Sequence, residues 1–258
     1  MARRGQIGSP ERALGWFVVT LLLLPWAKRW LSQHLYGLGL LISGDHDKAA
    51  LFSLCLLLPG VMLHELSHWL AAKALRVPTG RLTLGPRRRG EALTFASLSV
   101  ARTDSLRKSI IGLAPLLGGT LAIFLTARWG WPFIPWRSSP DEALRHLISH
   151  LGEYARAPHL LLVLYLLFSL SNGMLPSETD RQGWLPVLLF GGLVVLLSAL
   201  VGFVPRIPGE VTFWIFRGLE YLTLALLITL VVDGLFFLLI YPLERLVGAM
   251  RGEEVEYR

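Results

Sequence analysis

Residues 61–72 read Val-Met-Leu-His-Glu-Leu-Ser-His-Trp-Leu-Ala-Ala and contain the pattern His-Glu-x-x-His. Side chains four positions apart lie on one face of a helix, so His64 and His68 point the same way. Two imidazoles in that arrangement can hold one Zn²⁺ ion, and the glutamate beside the first, Glu65, has the chemistry of a general base. The stretch therefore predicts one catalytic zinc ion, with two ligands and the base on a single helical turn.

The flanks of this motif are apolar. Leucine, valine and methionine fill most of residues 56–63, and Trp69, Leu70 and two alanines follow the second histidine. On a soluble helix the motif is readily explained as a solvated polar face, but these flanks offer no water. Ionisable groups inside a bilayer are costly and usually functional, and a divalent metal gives all three groups one shared partner. The flanks therefore favour a metal site inside a membrane.

The composition is that of a membrane protein. Apolar residues make up 53% of the chain and charged residues 17%, below the ~25% usual in soluble domains. The net charge of +7 comes from basic residues between apolar segments, which is typical of cytoplasmic loops and not of nucleic-acid binding. The one cysteine, Cys55, excludes an intrachain disulfide and a cysteine-rich zinc motif. We expect the lipid bilayer as surroundings and no nucleic-acid partner.

Hydropathy predicts an all-α polytopic membrane protein that forms one integral membrane domain over residues 1–258. We expect about six transmembrane helices, at residues 14–26, 49–75, 109–126, 157–175, 184–204 and 218–241. One amphipathic surface helix is predicted at residues 139–156. The loop at 76–108 is the most basic, which places it in the cytoplasm, and alternation of the six spans then places both termini there.

The same basic loop contains β-prone sequence. Residues 81–84 and 92–100 favour strands, and the turn residues Gly85-Pro86 and Gly90 lie between them. We therefore expect a small β-hairpin or sheet after the second span. We interpret the run at 87–89, which is three arginines, as a solvated tip, with contact to anionic lipid headgroups as the second interpretation.

A catalytic zinc site takes a third protein ligand and leaves one position for water. Asp180 follows Asn172 and Pro176 at the end of the fourth predicted span, where a broken helix can bring an irregular segment into a protein-lined cavity. Asp233 lies deep in the sixth predicted span, and its other interpretation is a buried residue paired with a neighbouring helix. Composition and position alone leave both aspartates open as the third ligand.

The motif formed by His64, Glu65 and His68 on an apolar helix resembles the first motif of the site-2 protease family of intramembrane zinc metalloproteases. That family carries a second motif in which an asparagine precedes the third zinc ligand, an aspartate, by eight positions. Asn172 and Asp180 have the same interval. The resemblance therefore implies an intramembrane zinc metalloprotease with a divergent second motif.

The resemblance covers the core of the chain, residues 49–184, including a Gly-Leu-Ala-Pro element at 112–115 that is similar to one in the family's next span. The second motif departs from the family pattern in two ways. Its proline, Pro176, stands one place late, and Thr179-Asp180-Arg181 replaces Leu-Asp-Gly. The first and sixth predicted spans carry nothing specific to the family.

The resemblance further implies roles for individual residues. Asp180 would be the third zinc ligand, and Asn172 would help to hold the substrate peptide or its oxyanion. Asp233 has the local Asp-Gly form but lacks the upstream asparagine and proline, and it remains the alternative ligand. Substrates would be single-span transmembrane proteins, such as anti-sigma factors, cut by regulated intramembrane proteolysis in a prokaryotic plasma membrane.

We therefore expect a zinc metalloendopeptidase that hydrolyses peptide bonds in or near transmembrane segments, with Glu65 as the proton carrier. The β-prone segments would hold an unwound substrate stretch as an added strand. Two alternatives stay open. One is a membrane metallopeptidase that acts on soluble or misfolded segments, with Glu220 as its third ligand. The other is a non-enzymatic membrane protein that binds or transports zinc.

Overall fold

The structure, a computed structural model, describes residues 10–81, 83–89, 92–130, 140–200 and 208–255. Most of these residues are helical, and a two-stranded sheet follows the second helix. In chain order the elements are α1 (Pro10–Ser43), α2 (His46–Ala74), β1 (Thr83–Arg89), β2 (Ala92–Ser97), α3 (Ser105–Gly130), α4 (Pro140–Ser149), α5 (Leu151–Ala155), α6 (Leu160–Met174), α7 (Glu178–Arg181), α8 (Trp184–Leu200) and α9 (Gly209–Arg251).

Five helical stretches among the described residues are long and apolar enough to cross a membrane, so the prediction of six spans is wrong. The difference is α6, predicted as a full span at 157–175, which has only 15 residues. At ~1.5 Å per residue it is about 22 Å long, shorter than a hydrocarbon core of roughly 30 Å. The predicted placement of both termini on the same side of the membrane used an even number of spans, and it does not hold for five.

The helices leave extensive apolar surface exposed. On α8 nearly every leucine, valine and phenylalanine is exposed, including Leu185, Leu188 and Phe190 at 64–70%. Soluble monomers rarely expose contiguous apolar surface of this extent, whereas lipid tails cover it without cost. The exposed surface and the five long apolar helices together indicate an integral membrane protein.

The β-region also differs from the predicted hairpin. The sequence predicts a turn at Gly85-Pro86, but β1 continues through these residues and pairs antiparallel with β2 as far as Arg89 opposite Ala92. The pairing is irregular between Leu84 and Arg87, which is where the expected turn residues are accommodated. The three arginines at 87–89 are the last three residues of β1 and pair with residues 92–94 of β2. Their interpretation as a solvated tip stays a prediction.

The predicted surface helix at 139–156 is divided into α4 and α5, which meet at His150. Ala143 of α4 is 8% exposed and Tyr154 of α5 only 3%, and both line a small cavity against α9. These two short helices therefore pack against the bundle. Ser139, at the predicted start of the helix, lies outside the described residues.

The short helix α6 lies at the centre of the bundle. Its Val163, Leu167, Phe168 and Met174 are each at most 1% exposed, and α2, α3 and α9 pack around it. A helix that is apolar on all faces is surrounded either by lipid or by protein. Leu161 and Leu162 at the start of α6 are exposed, and the buried side chains of α6 lie between Val163 and Met174, where other helices pack against it. The C-terminal end of α6 is thereby fixed among three other helices.

Two glycines bring α2 and α6 into backbone contact. A Cβ atom at Gly60 would overlap the carbonyl oxygen of Ser169, and one at Gly173 would overlap the carbonyl of Gly60. Small residues permit such close approach between membrane helices. Because Gly60 lies one turn before His64, the contact brings the histidine motif of α2 to the end of α6.

Candidate metal centre

The structure brings His64, His68 and Asp180 together. The Nε2 atoms of the two histidines are 3.1 Å apart, and the Asp180 carboxylate oxygens lie 3.5 Å from Nε2 of His64 and 3.1 Å from Nε2 of His68. The three side chains are 9–16% exposed. They form a group whose ligand atoms all lie within 4.8 Å of one another and which can hold a metal ion.

The end of α6 orients the His64 imidazole. Nδ1 of His64 donates to the backbone carbonyl of Gly173 at 2.8 Å. This carbonyl belongs to the last turn of α6, where carbonyls lack partners within the helix. The helix ends because Leu175 is extended, with φ −74° and ψ 133°, as the residue before a proline prefers. Pro176 therefore contributes to the site by ending α6 and leaving an acceptor for His64.

A proline also provides the acceptor for His68. Nδ1 of His68 donates to the carbonyl of Ile111 at 2.9 Å. In an α-helix that carbonyl would accept the N–H of the residue four positions later, which in α3 is Pro115, and proline has no N–H. The freed carbonyl lies inside the helix bundle, where an unpaired acceptor is costly, and the imidazole satisfies it.

These two contacts determine which ring nitrogens carry protons. A backbone carbonyl can only accept, so both Nδ1 atoms carry hydrogen, and a neutral imidazole then presents a lone pair at Nε2. The 3.1 Å approach of the two Nε2 atoms therefore joins two acceptors, and the Asp180 carboxylate adds a third. With both imidazoles neutral, three acceptors converge without a donor between them, and a bound cation would stabilise this arrangement. Histidines that bind metal ions are commonly oriented through their other nitrogen in this way.

Asp180 reaches the histidines from α7, a single turn that begins at Ser177. Its Oδ2 accepts the Ser177 N–H at 2.7 Å and the Ser177 hydroxyl at 2.6 Å, and the serine hydroxyl in turn accepts the Asp180 N–H. This reciprocal capping fixes the carboxylate rotamer. The backbone of Asp180 rests on Gly112 of α3, where a Cβ atom would overlap the Asp180 carbonyl oxygen.

The remaining predicted residues lie around this group. Glu65 is half-buried and follows His64 on α2. Asn172 is directed elsewhere, since its amide donates to the Phe168 carbonyl at 2.8 Å and to Asp233 Oδ1 at 3.3 Å. Asp233 faces Asn172 and Lys28 and is not among the three grouped side chains. Its alternative interpretation, pairing with a neighbouring helix, matches these contacts.

Glu220, the ligand expected for a soluble-segment peptidase, is 4% exposed and forms an ion pair with Arg217 at 2.8 Å on the same helix. The group formed with His64 and His68 does not include it. Among the described residues, Asp180 is the carboxylate that completes the histidine pair.

A cavity of about 500 Å³ adjoins the metal centre. Asp180 and His68 form part of its wall, the extended segment 98–103 forms another part, and Lys108 and Gly112 of α3 lie opposite. Segment 98–103 pairs with 78–80: Gly80 donates to Ser99 and Ala101 donates to Pro78. In an antiparallel pair alternate residues direct their N–H and C=O groups to opposite sides, so Val100 directs its groups away from Thr79.

Sequence reasoning missed the residues that support the ligands. Gly112 and Pro115 belong to the Gly-Leu-Ala-Pro element of the third predicted span. Pro115 leaves the Ile111 carbonyl free for His68, and Gly112 lets the Asp180 backbone approach α3 closely. Both roles depend on packing between helices, which a local sequence pattern does not contain. Ser177 was given no role from the sequence, and in the structure it caps α7. No protein-family model, no curated protein and no solved structure matches the chain. The interpretation of the metal centre therefore rests on its own geometry.

Proposed function

We propose that this protein is an intramembrane zinc metalloendopeptidase and that His64, His68 and Asp180 hold its one catalytic zinc ion. The observation that carries the proposal is the convergence of three lone-pair acceptors beside Glu65. Ligands of a tetrahedral zinc ion at about 2.0–2.1 Å stand about 3.3 Å from one another. Here the two Nε2 atoms are 3.1 Å apart, Oδ1 of Asp180 lies 3.1 Å from Nε2 of His68, and its other oxygen, Oδ2, lies 3.5 Å from Nε2 of His64. Two imidazoles and one carboxylate are a catalytic zinc set that leaves one position for water.

The chemistry assigns a task to each residue. Zinc, when bound, supplies Lewis acidity that makes water acidic and polarises the carbonyl of the scissile peptide bond. A carboxylate oxygen of Glu65 takes one proton from the attacking water while the water oxygen forms a bond to the carbonyl carbon. The same oxygen then gives that proton to the amide nitrogen as the C–N bond breaks. The carbonyls of Gly173 and Ile111 hold both imidazoles in place throughout.

The cavity beside the metal centre supports a substrate in extended form. A transmembrane helix hides its peptide bonds in its own hydrogen bonds, so the scissile stretch must unwind before hydrolysis. Val100 directs its backbone N–H and C=O away from Thr79, so that they can pair with an unwound stretch as an added strand. Leu98 and Ala101 line the same cavity and offer apolar contacts. We therefore propose segment 98–103 as the substrate-binding edge.

The test is zinc content and cleavage of a model transmembrane substrate by the parent and by Glu65→Gln. The variant keeps all three ligands and should retain zinc and lose proteolysis. The matched control is Glu210→Gln, an exposed carboxylate at the start of α9, which should cleave like the parent. Cleavage by Glu65→Gln at the parental rate would contradict the enzyme assignment and leave the protein as a zinc binder or transporter.

One observation favours action on soluble or misfolded segments as a second candidate. Arg102 and Lys108 line the cavity, and Lys108 is hydrogen-bonded to Gln182 at 3.1 Å in an exposed contact. Charged side chains beside the metal centre suit a substrate that enters from water. The two candidates are separated by presenting one cleavage sequence in a transmembrane helix and in a soluble peptide. Preference for the first supports intramembrane proteolysis, and preference for the second supports this alternative.

The cellular setting stays a prediction. A single-span transmembrane protein as substrate, a prokaryotic plasma membrane and cytoplasmic termini all come from the family resemblance and the charge pattern. Cysteine labelling of Arg102→Cys from each side of the membrane tests the cytoplasmic position of the loop at 76–108.

A further inference from the structure

A lysine and an aspartate face each other inside the helix bundle, away from the metal ligands. Nζ of Lys28 on α1 lies 3.9 Å from Oδ2 of Asp233 on α9, and the two side chains are 12% and 2% exposed. Charged residues at this depth in a membrane protein are costly and mark functional positions. α1 and α9 run alongside each other here. The rings of Trp30 and Phe237 are in contact, and about four turns further along α9 Arg251 donates to the carbonyl of Ile42.

The shortest polar contact of Lys28 is not with Asp233. Nζ of Lys28 donates to the backbone carbonyl of Ser171 at 2.6 Å. Asp233 receives the Asn172 amide on Oδ1 at 3.3 Å, and its Oδ2 has no hydrogen-bond partner within the described part of the chain. In a directly hydrogen-bonded ion pair the nitrogen and oxygen would be about 2.7–2.9 Å apart, whereas Nζ of Lys28 and Oδ2 of Asp233 are 3.9 Å apart. Lys28 and Asp233 instead each contact α6, at successive residues.

These contacts fall on the turn that orients His64. Ser171, Asn172 and Gly173 are consecutive in the last turn of α6, whose carbonyls have no partners within the helix. Lys28 occupies the carbonyl of Ser171 from one side, and His64 occupies that of Gly173 from another. A cation beside a helix C-terminus is also favoured by the helix dipole.

We propose that Lys28 and Asp233 are positioning residues for the metal centre: they fix the last turn of α6, and with it the carbonyl that orients His64. Lys28 supplies the hydrogen bond, and Asp233 supplies the neutralising charge and holds Asn172. This inference rests on the proposed zinc site. It assigns a task to a lysine of α1 and an aspartate of α9 that do not touch the metal ligands.

The experiment compares the purified full-length parent with the double variant Lys28→Met/Asp233→Leu. Replacing a buried ion pair by apolar residues of similar size is often neutral or stabilising, so the thermal midpoint should stay near that of the parent. Zinc affinity, measured by competition with a chelator, should fall about tenfold, the lower end of the range for outer-shell partners of metal ligands. The visible absorption bands of the Co²⁺-substituted protein should shift, which a merely structural role would not produce.

Two further variants make the result specific. Arg217→Met/Glu220→Leu removes another charged pair on α9, one that makes its contact within that helix, and should keep the parental affinity and cobalt spectrum. Lys28→Gln/Asp233→Asn removes both charges but keeps a donor for the Ser171 carbonyl, and should bind zinc more tightly than the apolar double variant.

The outcomes separate this inference from the proposed function. A parent that binds no zinc contradicts the proposed function itself. A parent that binds zinc, with parental affinity and cobalt spectrum in Lys28→Met/Asp233→Leu, overturns the positioning role alone. Equal losses in the apolar, the polar and the Arg217/Glu220 variants also overturn it. If the apolar variant does not fold, Lys28→Met/Asp233→Asn takes its place with the same expected loss and the same contradiction.

Discussion

The protein contains two histidine pairs with the same helical spacing, and they form different arrangements. His64 and His68 on α2 turn their Nε2 atoms toward each other and toward Asp180. His146 and His150, in α4 and at its end, stack their rings face to face with centroids 4.0 Å apart. Their partners are local: Tyr154 for His146, and Ser149 and the His146 carbonyl for His150.

The difference lies in what the neighbouring helices offer. Breaks in regular structure, Pro115 within α3 and the end of α6, free one carbonyl for each histidine of the first pair. Gly112 admits the backbone that carries the carboxylate. The second pair is hydrogen-bonded to Tyr154, Ser149 and a carbonyl of α4 itself. In the part of the chain that the structure describes, no carboxylate joins it in a metal-binding group. Spacing alone does not make a metal site.

The largest effect is expected where the backbone of the carboxylate is displaced. Gly112→Ala places a methyl group on the Asp180 carbonyl, so α7 must shift. A displacement of about 1 Å in a catalytic constellation can cost about 100-fold in rate, and we expect substrate cleavage to fall by that amount. The matched control is Gly191→Ala on α8, where the added methyl meets nothing within 4 Å, and parental activity is expected. Parental activity in Gly112→Ala would show that the close contact between the Asp180 backbone and Gly112 is not needed to position Asp180.

A smaller effect is expected when the acceptor of His68 is withdrawn. Pro115→Ala restores an N–H that bonds to the Ile111 carbonyl and competes with His68 Nδ1. Zinc affinity should fall about tenfold, as for other outer-shell partners, although the alanine favours the helix itself. Pro242→Ala in α9 makes the same change far from the metal ligands and should leave zinc affinity unchanged. Chelator competition in detergent measures both. Equal zinc affinities in Pro115→Ala and the parent would show that Pro115 does not contribute to zinc binding through His68.

No effect on the metal is expected from the second pair. His146→Ala/His150→Ala should keep one zinc per chain and parental cleavage, because the Tyr154 and Ser149 contacts are the ones it loses. Metal analysis of the purified variant checks the first expectation, and the model transmembrane substrate checks the second. Loss of zinc in this variant would contradict the conclusion that His146 and His150 take no part in metal binding.

The parts of the site that the sequence predicts are those set by local geometry. Helical periodicity places His64 and His68 on one face. The aspartate that the structure brings to them, Asp180, was favoured by the family resemblance, through its interval from Asn172. Asn172 itself is a different case, because its amide contacts Asp233 and the Phe168 carbonyl, and its predicted role at the oxyanion stays a prediction. What a pattern in one segment cannot contain is the partner from a distant helix.

The errors in the fold have the same origin. A hydropathy pattern is the same whether lipid or protein surrounds a helix, so α6, which packs against α2, α3 and α9, was predicted as the fourth of six spans. Lys28 lies beyond the end of the first predicted span, residues 14–26, yet its side chain is buried against Ser171 and Asp233. Gly85-Pro86 is a strong local turn signal, but pairing with β2 carries β1 through it.

X-ray absorption at the zinc edge tests the central claim most directly, namely that His64, His68 and Asp180 hold one zinc ion. The account predicts two imidazole nitrogens and two oxygens at about 2.0–2.2 Å, one oxygen from Asp180 and one from water, with no sulfur. Asp180→Ala, compared with Asp233→Asn at the same zinc concentration, should lose this spectrum while Asp233→Asn retains it. A sulfur ligand, a single imidazole, or loss of the spectrum in Asp233→Asn but not in Asp180→Ala would contradict the account.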